Sequence, residues 1–267
     1  MDWQGRMTRA IDYLEAHLCA AADFEAAARE ANCSAFHFYR MFEIVAGIGS
    51  GEYLRFGYNS PDAFSRAFRR EFGCLPSDAR KGRARLHSYP RLFFSVVLKG
   101  DVPMEYRIEK SPAMKLAGIS IQATSKDGNN FVDVPAFWDA VMTDGRWKAL
   151  CAAADFKRLG VCGVCRDFDM QSGTFVYSIA VDEPAKAALL PSGSEAFEIP
   201  ASTWGKFTSR GPLKPNFQDT IKRIFGEWLP ASDWEHAGSA ELEFYPETGG
   251  SPDSSDFWCE FWIPLKK

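Results

Sequence analysis

At 267 residues and 46% hydrophobic, the chain can bury a sizeable core, and its length suits two domains. The absence of any run of 18 apolar residues speaks against a membrane-spanning helix. Seven cysteines at scattered positions suit reduced thiols in a cytosol better than a disulfide framework. The net charge of −4 is unevenly spread: residues 1–91 carry +2 and residues 92–267 carry −6. Within 55–91, nine basic side chains face three acidic ones, which points to a polyanion such as nucleic acid.

The first residues run directly into an amphipathic pattern and contain no signal-peptide h-region. Met7, Ala10, Ile11, Leu14 and Leu18 fall on one stripe and predict a helix. Asp23 reads as the N-cap of Phe24–Ala31, an Ala-rich run of high helix propensity. Asn32-Cys33 makes a short turn, and Ser34 starts a further helix through Val45. Helix, short turn, helix is the plan of a DNA-reading unit whose second helix enters the major groove.

The second of these helices is written twice. Ser34-Ala-Phe-His-Phe38-Tyr-Arg40-Met-Phe42, ending at Gly47, recurs 26 residues later as Ser60-Pro-Asp-Ala-Phe64-Ser-Arg66-Ala-Phe68, ending at Gly73. In each copy two Phe rings four residues apart face a core, Arg lies off that face, and Gly closes the helix. The DNA-contacting candidates are therefore Ala35, His37, Tyr39 and Arg40 on the first copy and Ser65, Arg66 and Arg69 on the second. The competing structural reading gives Arg40 and Arg66 to ion pairs within the domain, for instance with Glu43 or Asp62.

Trp3…Ile11-Asp-Tyr-Leu-Glu, Ser34 to Phe42, Gly47…Glu52-Tyr-Leu-Arg55 and Phe56-Gly-Tyr-Asn-Ser-Pro-Asp-Ala-Phe64…Phe72-Gly73-Cys-Leu-Pro76…Arg80 together resemble an AraC/XylS-type DNA-binding domain over residues 3–83. The resemblance implies two helix-turn-helix units, but here Arg55 runs straight into Phe56-Gly57. By the family plan a linker helix and the companion of the second recognition helix are missing. Gly51–Arg55 supplies little more than one turn, which is marginal alone.

From Val102 the pattern changes to short strands: 105–109, 115–122, 174–181, 195–200, 203–208, 240–245 and 257–264. They alternate with two helices that resemble each other, Phe137-Trp-Asp139-Ala-Val141 and Phe217-Gln-Asp219-Thr-Ile221, at an offset of 80. Pro112-Ala113 likewise rhymes with Pro200-Ala201. Two β-α-β repeats predict a pseudo-two-fold domain with a cleft between its halves. Met104-Glu-Tyr-Arg-Ile, Pro112-Ala-Met-Lys-Leu-Ala-Gly-Ile, Pro135-Ala-Phe-Trp138, Glu241-Leu-Glu-Phe-Tyr245 and Glu260-Phe-Trp-Ile-Pro264 resemble a GyrI-like effector-binding domain.

That resemblance places the ligand carboxylate on the strand 240–245, at Glu243. Glu241, Glu243 and Tyr245 share one face of it. A carboxylate among aromatic walls attracts organic cations through its charge and through ring faces. Trp258, Glu260 and Trp262 share a face of the last strand and are expected to line the same cleft, with Trp138, Tyr177, Trp204 and Phe217 as further walls. The plainer reading is core packing for each aromatic and a solvated or ion-paired carboxylate for Glu243. Cys162-Gly-Val-Cys165 has metal or redox spacing but lacks two further zinc ligands nearby. No P-loop, dinucleotide fingerprint or hydrolase elbow occurs, so no cofactor is expected.

The sequence thus predicts an α+β chain of two domains. Residues 1–83 form an all-α helix-turn-helix domain with an incomplete second unit, 84–101 a linker, and 102–267 a pseudo-two-fold antiparallel-sheet domain. The expected function is a cytoplasmic one-component transcription regulator that binds DNA and a small cationic or amphipathic effector. The alternatives are a drug-sequestering protein, or a GyrI-like hydrolase acting through Glu243 or Glu260.

Overall fold

The computed structural model describes residues 3–17, 23–46, 65–66, 68–69, 73–81, 103–125, 129–169, 172–182, 187–247 and 250–267. By contacts the chain divides into two compact units, Met1–Ala35 with Ser50–Val97 and Phe36–Gly49 with Leu98–Lys267. No described helix is long and apolar enough to cross a membrane.

In the first unit, α1 (Trp3–His17) buries Met7, Ala10, Ile11 and Leu14, the expected stripe; Leu18 lies outside the described residues. Asp23 caps α2 (Phe24–Glu30) by accepting the Glu25 N–H at 2.9 Å. The chain then reverses at Asn32, whose φ of 53° is one that Asn tolerates better than most residues, and the Cys33 N–H bonds the Ala28 carbonyl at 3.1 Å. The next helix, α3 (Ala35–Ala46), groups from Phe36 onward with the second unit. The two helices expected to form one DNA-reading pair thus fall in different units. In the second copy, Ser65, Arg66, Phe68 and Arg69 are helical, with both arginines exposed. Gly73, at φ +67°, closes that copy by donating to the Arg69 carbonyl at 2.9 Å. The short α4 (Pro76–Arg80) follows. The segment 50–60, where a companion helix is in question, lies outside the described residues, as does Asp62.

The second unit is built on one antiparallel sheet. Its strands are β1 (Tyr106–Ser111), β2 (Met114–Thr124), β3 (Val161–Asp169), β4 (Thr174–Asp182), β5 (Glu195–Ile199), β6 (Ser202–Arg210), β7 (Glu235–His236), β8 (Ala240–Tyr245) and β9 (Trp258–Lys266). Their order is β1-β6-β9-β8-β3-β4-β2-β5, with β7 beside β9. Exchanging β1, β2, β3 and β4 with β5, β6, β8 and β9 reproduces this order reversed, which is the expected pseudo-two-fold. The axis runs between β3 and β8. All seven strands read from the sequence are present. Sequence reasoning misses β3, because Gly163 and two cysteines interrupt its strand pattern. It also misses the short α6 (Arg146–Ala153) that follows Gly145 at φ +90°.

The two Pro-Ala turns force the sheet to curl. Pro112-Ala113 joins β1, at one end, to β2, six strands away, a distance of about 28 Å if the sheet were flat. Two linking residues reach only roughly 10 Å. Pro200-Ala201 imposes the same constraint between β5 and β6. The concave face that results gathers Leu116 and Ile199 from one end, Trp204 and Trp262 from the other and Leu242 from the centre into a single core.

The convex face carries the helices. α5 (Asn130–Thr143) and α6 cover β2 and β4, and Phe137, Val141 and Leu150 pack on Ile119, Tyr177, Ile179 and Val181. α7 (Leu213–Arg223) runs on through a π turn, Ile224–Trp228, and lies over β6 and β9, with the Phe217 ring set edge-on to Phe261 at 5.8 Å. The central strands β3 and β8 form the floor of a valley between these two helical layers.

Candidate functional site

Glu243 stands on the valley floor. Its register partner on β3 is Gly163, and the 80-residue offset of the helices carries Gly163 onto Glu243 itself, so the pseudo-two-fold axis passes through this pair. A side chain there would collide with the site's own polar groups. A Cβ on residue 163 would stand 2.4 Å from Tyr177 Oη and 2.6 Å from Glu243 Oε2. The space is taken by a hydrogen-bonded chain: Trp138 Nε1 donates to Tyr177 Oη at 2.7 Å, and Tyr177 Oη donates to Glu243 Oε2 at 2.5 Å. Tyr245 Oη donates to the same oxygen at 2.9 Å. Among the described residues, Oε1 takes no hydrogen bond. The Trp138 ring lies edge-on to Tyr245 at 5.5 Å and 6.0 Å from Trp147, forming an aromatic wall beside the carboxylate.

Burial pushes the Glu243 carboxyl above the ordinary carboxylate range. The two tyrosine hydrogen bonds pull it back in part, and the charge of Glu241 raises it further. Both tyrosines are pushed well up, first by burial and then by the Glu243 charge, so they remain neutral donors. Glu243 itself stays partly accessible. The arrangement is a half-buried carboxylate with one oxygen anchored, the other uncommitted and an aromatic wall alongside. It can receive a positive charge on an apolar body.

One pleat away on the same face, Glu241 is only 1% exposed. Burial raises its pKa, yet Arg40 and the His236 contact outweigh this and lower it to about 2. Arg40 Nε donates to Oε1 at 2.8 Å and an Nη to Oε2 at 2.5 Å, and His236 Nε2 lies 3.2 Å from Oε1 but out of line for a good hydrogen bond. The Gly238 N–H donates to His236 Nδ1, which places the ring proton on Nε2, toward Glu241.

The structure brings Glu243, Tyr245, Tyr177 and Trp138 together as the sequence suggests. Phe217 packs on Phe261, the residue opposite Glu243 in β9. Glu260, Trp258 and Trp204 do not join this cleft. Glu260 is the register partner of Phe244, so with Trp258 and Trp262 it lies on the concave face. There it accepts Arg107 through both oxygens, at 2.5 and 3.0 Å, and Trp262 Nε1 at 2.7 Å. Cys162 and Cys165, three residues apart on a strand, point to opposite faces and cannot act as a pair.

The expectation for α3 also needs correction. His37 is 4% exposed, its Nδ1 accepting the His236 N–H at 3.0 Å, and Arg40 is committed to Glu241 with Glu43 3.5 Å away. The face read as exposed is packed on the sheet. Ala35 and Tyr39 are half-buried. Sequence reasoning misses Glu241, His236 and Gly163 as organising residues; only the alternation of β8 hinted at the first.

The family model described as Cass2, integron-associated effector binding protein, matches residues 107–265. Among solved structures, SAV2435 bound to tetraphenylphosphonium is 19% identical with a TM-score of 0.53, over 61% of this chain and 94% of that one. A protein of Staphylococcus aureus MU50 assigned to bacterial transcription regulation is 20% identical with a TM-score of 0.50, over 62% and 100%. The Vibrio cholerae integron cassette protein VCH_CASS2 is 15% identical with a TM-score of 0.45, over 60% and 95%. At these identities the likeness to the first two is one of fold.

Proposed function

The chain belongs to the Cass2 family of integron-associated effector binding proteins, and on that footing we propose that it is a cytosolic one-component transcription regulator whose effector is a lipophilic organic cation. The observation that carries the effector half is the Glu243 carboxylate, anchored by Tyr177 and Tyr245 beside the Trp138 wall. A cation placed there gains direct charge attraction and ring-face contact, about 2 kcal/mol or more when desolvated. The DNA half is supported by the AraC-like residues, the exposed Arg66 and Arg69 and the basic stretch 55–91.

Tetraphenylphosphonium, the ligand of one structural relative, is the first probe. A saturable quench of tryptophan fluorescence is expected, and its absence across a panel of lipophilic cations would remove the effector reading. For the DNA half, binding to a labelled duplex should fall steeply with salt, because phosphate neutralisation dominates such affinity. A second reading, a sequestering protein without DNA binding, is favoured by one observation: His37 and Arg40 face the sheet. It would be adopted if no duplex binds at low salt.

Gly163→Ala tests the site from its opposite side. The added methyl must displace the Tyr177 hydroxyl or the Glu243 carboxylate. Cation affinity should drop about tenfold, the worth of a hydrogen bond to a charged group. Far-UV circular dichroism should be unchanged. Unaltered affinity would show that the anchored carboxylate is not what the ligand meets.

A further inference from the structure

Phe36, Arg40 and Glu43 follow the i, i+4, i+7 spacing of one helical stripe, with His37 beside them. Each has a partner in the second unit. The Phe36 ring meets Phe168 edge-on at 5.1 Å and His236 at 4.8 Å. His37 accepts from the His236 backbone, and Glu43 accepts from Ser125 Oγ at 2.8 Å. Arg40 is bidentate on Glu241, with the Phe168 ring 5.2 Å from its guanidinium carbon. This two-toothed contact uses the same guanidinium fork that an arginine presents to phosphate or to a guanine edge. One side chain cannot make both contacts at once.

We propose that the Arg40–Glu241 pair is a latch: it holds α3 on the sheet, and docking there excludes α3 from DNA. The inference rests on the DNA-binding reading for its consequence, but not for the latch itself. The pair is the centre of the docked stripe, and Glu241 is nearly inaccessible beneath it. Its loss removes the strongest directional contact α3 makes with β8, while the contacts of Phe36 and Glu43 stay in place.

The test measures hydrogen exchange of the 36–46 amides, and anisotropy of a labelled duplex at one fixed low salt, on the full chain and on Glu241→Gln. Losing a charge-assisted contact is worth about tenfold or more. Exchange across α3 should therefore quicken by at least about tenfold while β4 and β9 stay protected, and the duplex should bind about tenfold more tightly. The charge-reversed pair Arg40→Glu with Glu241→Arg should restore slow α3 exchange. Unchanged α3 exchange in Glu241→Gln overturns the latch, whatever the DNA result. Faster exchange with measurable but unaltered duplex binding overturns the mutual exclusion. Faster exchange with no duplex binding by either protein leaves the latch standing and removes the DNA reading. Should Glu241→Gln also lose protection in β4 and β9, the comparison passes to Arg40→Glu alone against the charge-reversed pair. Fast exchange in the first and slow in the second supports the latch, and equal exchange overturns it.

Discussion

Glu243→Gln is expected to raise the melting temperature of the chain near neutral pH while weakening its hold on tetraphenylphosphonium by about tenfold or more. The two effects share one cause. Burial lifts the folded-state pKa of Glu243 above its unfolded value. The folded state therefore holds the neutral form more readily than the unfolded chain does. Any stability from this group is fully present below the unfolded pKa and is lost as pH rises through the folded pKa. Near neutrality the ionised carboxylate thus costs stability, which glutamine avoids while its carbonyl still accepts from Tyr177 and Tyr245. The gain should be present at pH 7.5 and vanish by about pH 3, below the unfolded value of about 4.3, where the carboxyl is neutral in folded and unfolded chain alike. A cation, by contrast, needs the charge. Melts at the two pH values and one titration settle the matter. A lower melting temperature at pH 7.5 together with unchanged affinity would mean that Glu243 is an ordinary structural carboxylate. Such a trade of stability for binding is what a functional carboxylate produces.

Half of this site could be read from local pattern alone. The alternation in Ala240–Tyr245 puts Glu241, Glu243 and Tyr245 on one face, and Phe137-Trp138 announces a helix whose aromatic residues meet the sheet. Alternation says which residues of a strand share a face, but not which of the two sheet faces that is. The register Leu242↔Trp262 decides that Trp258, Glu260 and Trp262 lie on the concave side, away from Glu243, and nothing local to either strand encodes it. The same holds for α3. One apolar stripe, Phe38 and Phe42, is visible as periodicity and both residues are buried. The second stripe is polar, and its partner Glu241 lies 201 positions away, so it looks like a solvent or DNA face until the fold supplies the partner. The doubled Pro-Ala turns, by contrast, carry the curl of the whole sheet in two residues each. The pseudo-two-fold was legible for that reason.

The two faces make Glu260 the natural counter-test to Glu243. Arg107→Met is expected to destabilise the second unit by about 3 kcal/mol, and Glu260→Gln to leave tetraphenylphosphonium affinity unchanged. Glu260 is 4% exposed in the concave core, and Arg107 meets both of its oxygens. Without the guanidinium, Trp262 Nε1 would be the one donor among the described residues left on the carboxylate, because Lys206 is committed to Glu109 at 2.7 Å. An uncompensated buried charge costs about 3–5 kcal/mol. The lower end applies here because Arg107 itself is half-exposed, so the site is partly open to water. Replacing the whole pair, Arg107→Met with Glu260→Leu, should recover most of the loss, since desolvating both ions offsets much of what their attraction contributes. Urea unfolding followed by tryptophan fluorescence reports on this unit, because every tryptophan except Trp3 lies in it. A loss below about 1 kcal/mol for Arg107→Met would place the pair with ordinary surface ion pairs. A tenfold fall in cation affinity for Glu260→Gln would instead return Glu260 to the ligand site and imply that the effector reaches the concave face.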